Sequence, residues 1–268
     1  MTQQDAGRPV AVVTGAARGI GAATALGLAR AGWDLVLGDV PTPDAVPGLA
    51  YPLAGPADLT ASVAACTAAG AQVATAPCDV RRPQDVADLV ALAGVRLTVA
   101  VAVAGILGAH GPAWTLTHEE LDRDLSVNLH GVANLARAAI PVLLSSSEPA
   151  RGRFVAVVSS AGTRGLPRLG SYVASKHAAL GYVRSLAADL APTGITANAV
   201  LPGSTRTAML ARTAQAYGLD DVEQFAPSQR MGRLLEPAEI AAAVVWLCSA
   251  AASGITGTAL AVDGGFVG

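Results

Sequence analysis

Seven short apolar runs alternate with six longer stretches of helical periodicity from one end of the chain to the other, and no linker, internal repeat or low-complexity tail interrupts them. A run that is apolar throughout, instead of at every second residue, describes a strand buried on both faces, and parallel neighbours need a crossover helix between them. The alternation therefore predicts an α/β fold in which a parallel sheet is covered by helices on both faces. Strands are expected at 10–14, 34–38, 72–77, 97–104, 153–159, 196–201 and 259–262. Helices are expected at 19–31, 57–69, 83–93, 118–145, 171–190 and 237–249. The start signals agree: Thr117 and Glu120 form a capping box, and Pro83 and Pro237 suit a first helical turn.

A chain of 268 residues, 52% of them hydrophobic, is close to the size at which one core stops growing, so residues 1–268 are expected to form a single domain. The formal net charge of −2 supplies no basic field, and neither nucleic acid nor a membrane is expected as a partner. Cys66, Cys78 and Cys248 are odd in number and sit in apolar patterns, which suits reduced core thiols. The polar residues 1–5 lack a signal-peptide core and the longest apolar run, 97–107, is too short to span a bilayer, so the expectation is a soluble, cytoplasmic protein. His110, His118, His130 and His177 have no metal-ligand spacing, and no metal is expected. Trp33, Trp114 and Trp246 are expected to pack, with Trp114 and His110 edging a site in the loop after the fourth strand.

Two connections are longer than an α/β unit requires. One, 40–56, contains Pro41, Pro43, Pro47, Pro52 and Pro56; the other, 204–236, carries Met209, Leu210, Tyr217, Leu219 and Phe225. Both follow the carboxyl end of a strand, the edge at which open α/β sheets bind ligands.

The composition holds eighteen Lys plus Arg, of which one is lysine: Lys176, four residues after Tyr172. Residues four apart share a helix face, and a compact ammonium beside a phenol favours the phenolate, lowering a reference pKa of about 10 by roughly 1 to 3 pH units. The pair is a candidate acid/base unit. At the other end of the chain the first strand runs into Thr14-Gly15-Ala16-Ala17-Arg18-Gly19-Ile20-Gly21, a glycine turn whose following helix N-terminus suits a pyrophosphate. Asp39 ends the second strand 18 residues after Gly21, where an acid bonds ribose hydroxyls and repels a 2′-phosphate. That favours NAD over NADP, although Arg18 is an opposing signal.

Taken together, the glycine turn, Asn128, Ser159, Tyr172 with Lys176, and Pro202-Gly203 resemble the short-chain dehydrogenase/reductase family over nearly the whole chain, down to Val262-Asp263-Gly264-Gly265. The resemblance implies a Rossmann-type doubly wound sheet of seven parallel strands and hydride transfer between a nicotinamide cofactor and an alcohol or ketone. It implies Tyr172 as acid/base, Lys176 holding the phenolate and the nicotinamide ribose, Ser159 on the substrate oxygen, and Asn128 anchoring a proton-carrying water. Ser160 is the rival of Ser159, but adjacent strand residues point opposite ways and the 13-residue separation of Ser159 from Tyr172 matches the family. Gly15, Arg18, Gly19, Ile20, Gly21, Asp39, Asp79, Val80, Ala104, Gly105, Pro202, Gly203, Thr205 and Thr207 are implied as cofactor contacts, with Asp79 and Val80 on the adenine side and Thr207 at the carboxamide. One departure stands out: Ala102-Val103-Ala104-Gly105 replaces the Asn-Asn-Ala-Gly of many relatives.

The 40–56 insertion, with Tyr51-Pro52-Leu53-Ala54, and the stretch Arg233-Leu234-Leu235-Glu236-Pro237 resemble a mycofactocin-associated, carveol-dehydrogenase-like subset of that family, which is thought to hold NAD without exchange. The resemblance implies mycofactocin as external redox carrier and a homotetramer. The expected substrate is a small, largely apolar secondary alcohol or ketone. Competing readings are an NADPH-dependent ketoacyl reductase, which Asp39 opposes, and a catalytically silent NAD-binding scaffold, which the intact Asn128, Ser159, Tyr172 and Lys176 set opposes.

Overall fold

A computed structural model describes residues 7–267. The polar N-terminal residues 1–5 lie outside the described residues. Seven parallel strands form one sheet: β1 (Val10–Thr14), β2 (Asp34–Asp39), β3 (Val73–Pro77), β4 (Leu97–Ala102), β5 (Arg153–Val157), β6 (Thr196–Pro202) and β7 (Ala259–Val262), in the spatial order β3-β2-β1-β4-β5-β6-β7. Eight α-helices accompany them among the described residues: α1 (Gly19–Arg30), α2 (Pro56–Ala68), α3 (Pro83–Ala91), α4 (His118–Asn128), α5 (His130–Leu144), α6 (Gly170–Leu190), α7 (Ala208–Tyr217) and α8 (Pro237–Cys248).

Alternate residues of each central strand feed two separate cores, which is why the strands read as continuous apolar runs. Val10, Val12, Val36, Ala100 and Phe154 face α3, α5 and α6, meeting Leu89, Leu135, Ala139 and Val183. Ala11, Val13, Leu37, Val101 and Val155 face α1 and α8, meeting Leu28, Ile240, Val244 and Leu247. The three cysteines are free and buried in these layers, as their apolar surroundings indicated. The capping box at α4 forms in both directions, with Glu120 N donating to Thr117 Oγ1 at 3.2 Å and Thr117 N donating to Glu120 Oε2 at 2.9 Å. Pro83 and Pro237 open α3 and α8.

Four expectations need correction. The fourth and fifth strands stop two residues early, at Ala102 and Val157, because the backbone beyond them turns to serve the site. The single helix expected at 118–145 is broken at Leu129, with φ −105° and ψ −58°, where the side chain of Asn128 is drawn into bonds with another loop. The segment 204–236 is not bare loop but carries α7 and a 3₁₀ turn at Val222–Ser228. Trp114 is 86% exposed and neither it nor His110 lines the cavity described below, so Trp114 neither packs nor edges the site. By length and composition α4 and α5 together could cross a bilayer, contrary to the reading of 97–107 as the longest apolar stretch. More than half of that segment, 56%, is buried against the sheet and α6.

Candidate active site

The chain leaves the sheet centre in both directions from β1, so the connections after β1 and β4 diverge at the carboxyl edge and open a crevice there. A cavity of about 980 Å³ fills it, lined by the turns after β1 to β6, by the 40–56 insertion and by α7. Every residue implied as a cofactor contact lines this cavity, as do Ser159, Tyr172 and Lys176; Asn128 lies behind the wall.

The glycine turn is built by close approach. Gly15 has φ +68°, and a Cβ on it would stand 2.6 Å from the backbone of Ala104; a Cβ on Gly21 would stand 1.8 Å from the carbonyl oxygen of Gly15. Only glycine lets β1, α1 and the loop after β4 meet in this way. Helix α1 then starts with no side-chain cap and no acid in its first turn. Its terminal N–H groups and positive dipole end are left for an anion in the cavity.

Asp39 ends β2 with its two oxygens accepting from Ala17 N and Val40 N, each at 2.8 Å. Burial raises its pKa, against those two bonds and the charge of Arg18. Arg18 itself does not wait for a phosphate: its Nη2 donates to the carbonyl of Pro52 at 2.8 Å, tying the insertion across the mouth. Asp79 is held by Arg81, whose Nη2 bonds both Asp79 Oδ2 and the insertion carbonyl of Ala45 at 2.6 Å. Val80 accepts from Asn134 Nδ2 through its carbonyl at 2.8 Å. Thr205 Oγ1 donates to Gly203 O at 3.0 Å, and Thr207 caps α7 by accepting from Leu210 N at 3.3 Å while its methyl faces Gly19.

The loop after β4 is held by three side chains from three segments. Ile106 N donates to Asn128 Oδ1 at 2.9 Å, Leu107 N to the Tyr51 hydroxyl at 3.1 Å, and Gly108 N to Asp124 Oδ1 at 2.8 Å. Asn128 also donates to Ile106 O and to Ser175 Oγ, both at 2.9 Å, so its side chain is fully engaged by protein. These contacts supply what the missing asparagines after β4 do not.

Tyr172 and Lys176 share the buried face of α6. The ammonium stands 5.7 Å from the centre of the Tyr172 ring and reaches Val157 O at 3.5 Å. The expected lowering of the phenol pKa is not found. Burial pushes Tyr172 up to about 12, opposed by a hydrogen bond from Ser159 and reinforced by the charges of Tyr51 and Asp124. Burial likewise pulls Lys176 down to about 8, with Asp124 opposing. Desolvation outweighs the pairing because the ammonium lies over the ring and not at the oxygen. Ser159, with Oγ accepting from Ala161 N at 3.0 Å, is the serine that reaches the phenol; both serines line the cavity, since the strand ends before them.

Residues missed by sequence reasoning complete the site. Asp124 is wholly buried and lies one helical turn before Asn128, so its spacing from Asn128 was the available signal. Ser175 and Ser171 hold Asn128 and Asp124 from α6. Leu107, Leu166, Leu169, Met209 and Tyr217 form an apolar wall, with Met209 Sδ 3.9 Å from the Tyr172 oxygen. Among the described residues no group of His, Cys, Asp and Glu could hold a metal ion. Tyr51→Phe removes the acceptor of a buried amide, which costs about 1–3 kcal/mol. Urea unfolding should show that loss; an unchanged midpoint would mean that the Tyr51 contact contributes nothing.

Comparison with known proteins agrees with this geometry. A family model described as enoyl-(acyl carrier protein) reductase matches residues 15–267. An uncharacterized NAD-dependent oxidoreductase of Mycobacterium tuberculosis is 37% identical over 266 residues, covering 96% of this chain and 94% of that protein. The 2,5-dichloro-2,5-cyclohexadiene-1,4-diol dehydrogenase of Sphingobium indicum is 33% identical over 264 residues, covering 95% of each chain. The crystal structure of carveol dehydrogenase from Mycobacterium avium in complex with NAD superposes with a TM-score of 0.89 at 29% identity, covering 97% of this chain and 98% of that one. With matches of this extent over the same glycine turn, sheet order and tyrosine–lysine helix, the chain belongs to the short-chain dehydrogenase/reductase family.

Proposed function

We propose that this protein is an NAD-dependent oxidoreductase that interconverts a largely apolar secondary alcohol and its ketone, with Tyr172 moving the proton. The observation that carries the reading is the convergence, in one cavity, of the Ser159-bonded phenol of Tyr172 with the Lys176 ammonium, beside an uncapped helix N-terminus. The residues fit the cofactor: at Gly15 and Gly21 any Cβ would break the turn that brings the backbone to the cavity, and Asp39 stands at its rim. NAD, when bound, supplies the hydride acceptor. Similarity to proteins named as NAD-dependent and as acting on cyclic alcohols supports both cofactor and substrate class.

The chain's own part is positioning and proton transfer. The apolar wall of Leu107, Leu166, Leu169, Met209 and Tyr217 suits a hydrocarbon body and excludes water from the reacting carbon. Ser159 and Tyr172 place two hydroxyls on one oxygen of the substrate, where they stabilise its developing charge. With its pKa at about 12, Tyr172 is a phenol at neutral pH, ready to donate to a ketone. Oxidation needs the phenolate, so it gains from rising pH until Lys176 loses its proton near 8. A carrier-bound acyl substrate, suggested by the family model's description, is disfavoured by Asp39, which opposes the 2′-phosphate of NADPH.

The insertion is read as a strap over the adenosine half of NAD that slows its release, leaving an external carrier of the mycofactocin type to reoxidise it. Its ties to Arg18, Arg81 and Leu107 support this, as does the overall likeness to carveol dehydrogenase. Its prolines reduce the entropy lost on ordering.

Three measurements test these readings. With carveol as probe, Tyr172→Phe should lose about 10²–10⁴-fold in kcat while still binding NAD; retention of more than about a tenth of the activity removes Tyr172 from the mechanism. Asp39→Ser should narrow the preference for NAD over NADP in kcat/KM, and equal use of both by the unaltered protein would refute the cofactor assignment. Protein purified without added cofactor should release NAD only on denaturation. Cofactor-free protein that turns over steadily with free NAD would return the insertion to an ordinary surface loop.

A further inference from the structure

The proton-handling face of α6 is confronted by a carboxylate that the reaction as described does not use. Asp124 is wholly buried on α4, with Oδ1 accepting from Gly108 N at 2.8 Å and Oδ2 accepting from Ser171 Oγ at 2.6 Å. Ser171 immediately precedes Tyr172, and Gly108 belongs to the loop that Asn128 and Tyr51 also hold. The carboxylate thus joins the loop after β4 to the first turn of the helix that carries Tyr172 and Lys176.

The groups that face it define its role. From α6 come Ser171, Lys176 and the phenol of Tyr172; from the insertion comes the phenol of Tyr51; from α4 itself comes Arg123, which also reaches Glu119 at 3.6 Å. Among the described residues Asp124 is the one charged group that acts on Lys176, itself only 4% exposed. A buried ammonium with no counter-charge sheds its proton. A neutral amine could not favour the phenolate or attract a negatively charged oxygen.

The geometry points to Asp124 as a positioning residue: its carboxylate, fixed between Gly108 and Ser171, is the buried counter-charge that keeps Lys176 cationic beside Tyr172. The inference rests on the tyrosine–lysine reading above. Burial pushes Asp124 up to about 6 and pulls Lys176 down to about 8, while each charge opposes the shift of the other. Across the interval between those values the pair is ionised on both sides. A carboxylate retained in such a place at the cost of desolvation is not what packing alone would select.

The single lysine makes the test direct. The full chain grown with ¹⁵N-lysine carries one side-chain amine signal, that of Lys176, whose shift can be followed with pH. Asp124→Asn keeps the size and an acceptor for Gly108 N while removing the charge. Its Lys176 midpoint should fall by about one pH unit or more. Midpoints that coincide between Asp124→Asn and the unaltered protein overturn the inference and leave Asp124 a structural tie. Should Asp124→Asn fail to fold, the unaltered protein decides: coupled groups report each other's protonation, so the Lys176 signal should show a second inflection near 6, the value to which Asp124 is pushed. A single inflection overturns the inference as well. Because the readout is the lysine and not turnover, an active Tyr172→Phe would sink the acid/base reading without deciding this one.

Discussion

Everything at the carboxyl edge depends on three consecutive backbone amides, those of Ile106, Leu107 and Gly108. Buried N–H groups need partners, and no strand continues there to provide them. Each finds a side chain instead, from Asn128 and Asp124 on α4 and from Tyr51 in the insertion. The arrangement forces the break at Leu129, since Asn128 must turn toward the loop while α5 continues along the sheet. It also positions Ala104, against which Gly15 packs, so the glycine turn and the tyrosine–lysine helix are registered through the same short segment. A Cβ on Gly105 would stand 3.2 Å from both Asn128 Oδ1 and Lys176 Nζ, which shows how closely the two halves approach.

Burial governs the electrostatics of the site. Tyr172, Lys176 and Asp124 are each displaced toward their neutral forms, and each charged form is recovered only through a neighbour. Such a site holds little charge until a ligand or a proton changes the balance, which suits a reaction in which charge appears on a substrate oxygen and then leaves it. The apolar wall that makes the cavity selective for hydrocarbon is the same feature that displaces these groups.

The insertion is attached by arginines acting as hydrogen-bond donors to backbone and not as ion-pair partners alone. Arg81 spans Asp79 and Ala45, Arg18 reaches Pro52, and Arg123 packs on Gly48. A planar fork with several donors can hold a carboxylate and a carbonyl at once, which a point charge on a flexible stem does less well. Val46, Leu49 and Leu53 complete the attachment by packing on the core, so a segment without helix or strand still has a defined path.

The local pattern of the chain determined the strands and nearly all the helix starts, because apolar periodicity, first-turn prolines and the Thr117–Glu120 box act within a few residues. It also determined the membership of the cavity: the glycine turn, Asp39, Ser159, Tyr172 and Lys176 are each tied to a strand end or a helix face. Only the tertiary structure decided the partners. That Arg18 serves Pro52, that Tyr51 crosses 56 positions to Leu107, and that Asp124 meets Ser171 are contacts between segments distant in sequence, where no local periodicity reports. The sign of the tyrosine's shift belongs to the same class. Helical spacing brings an ammonium near the ring, but how much water the fold removes from the phenol sets which effect is larger, and that depends on every element that closes over it.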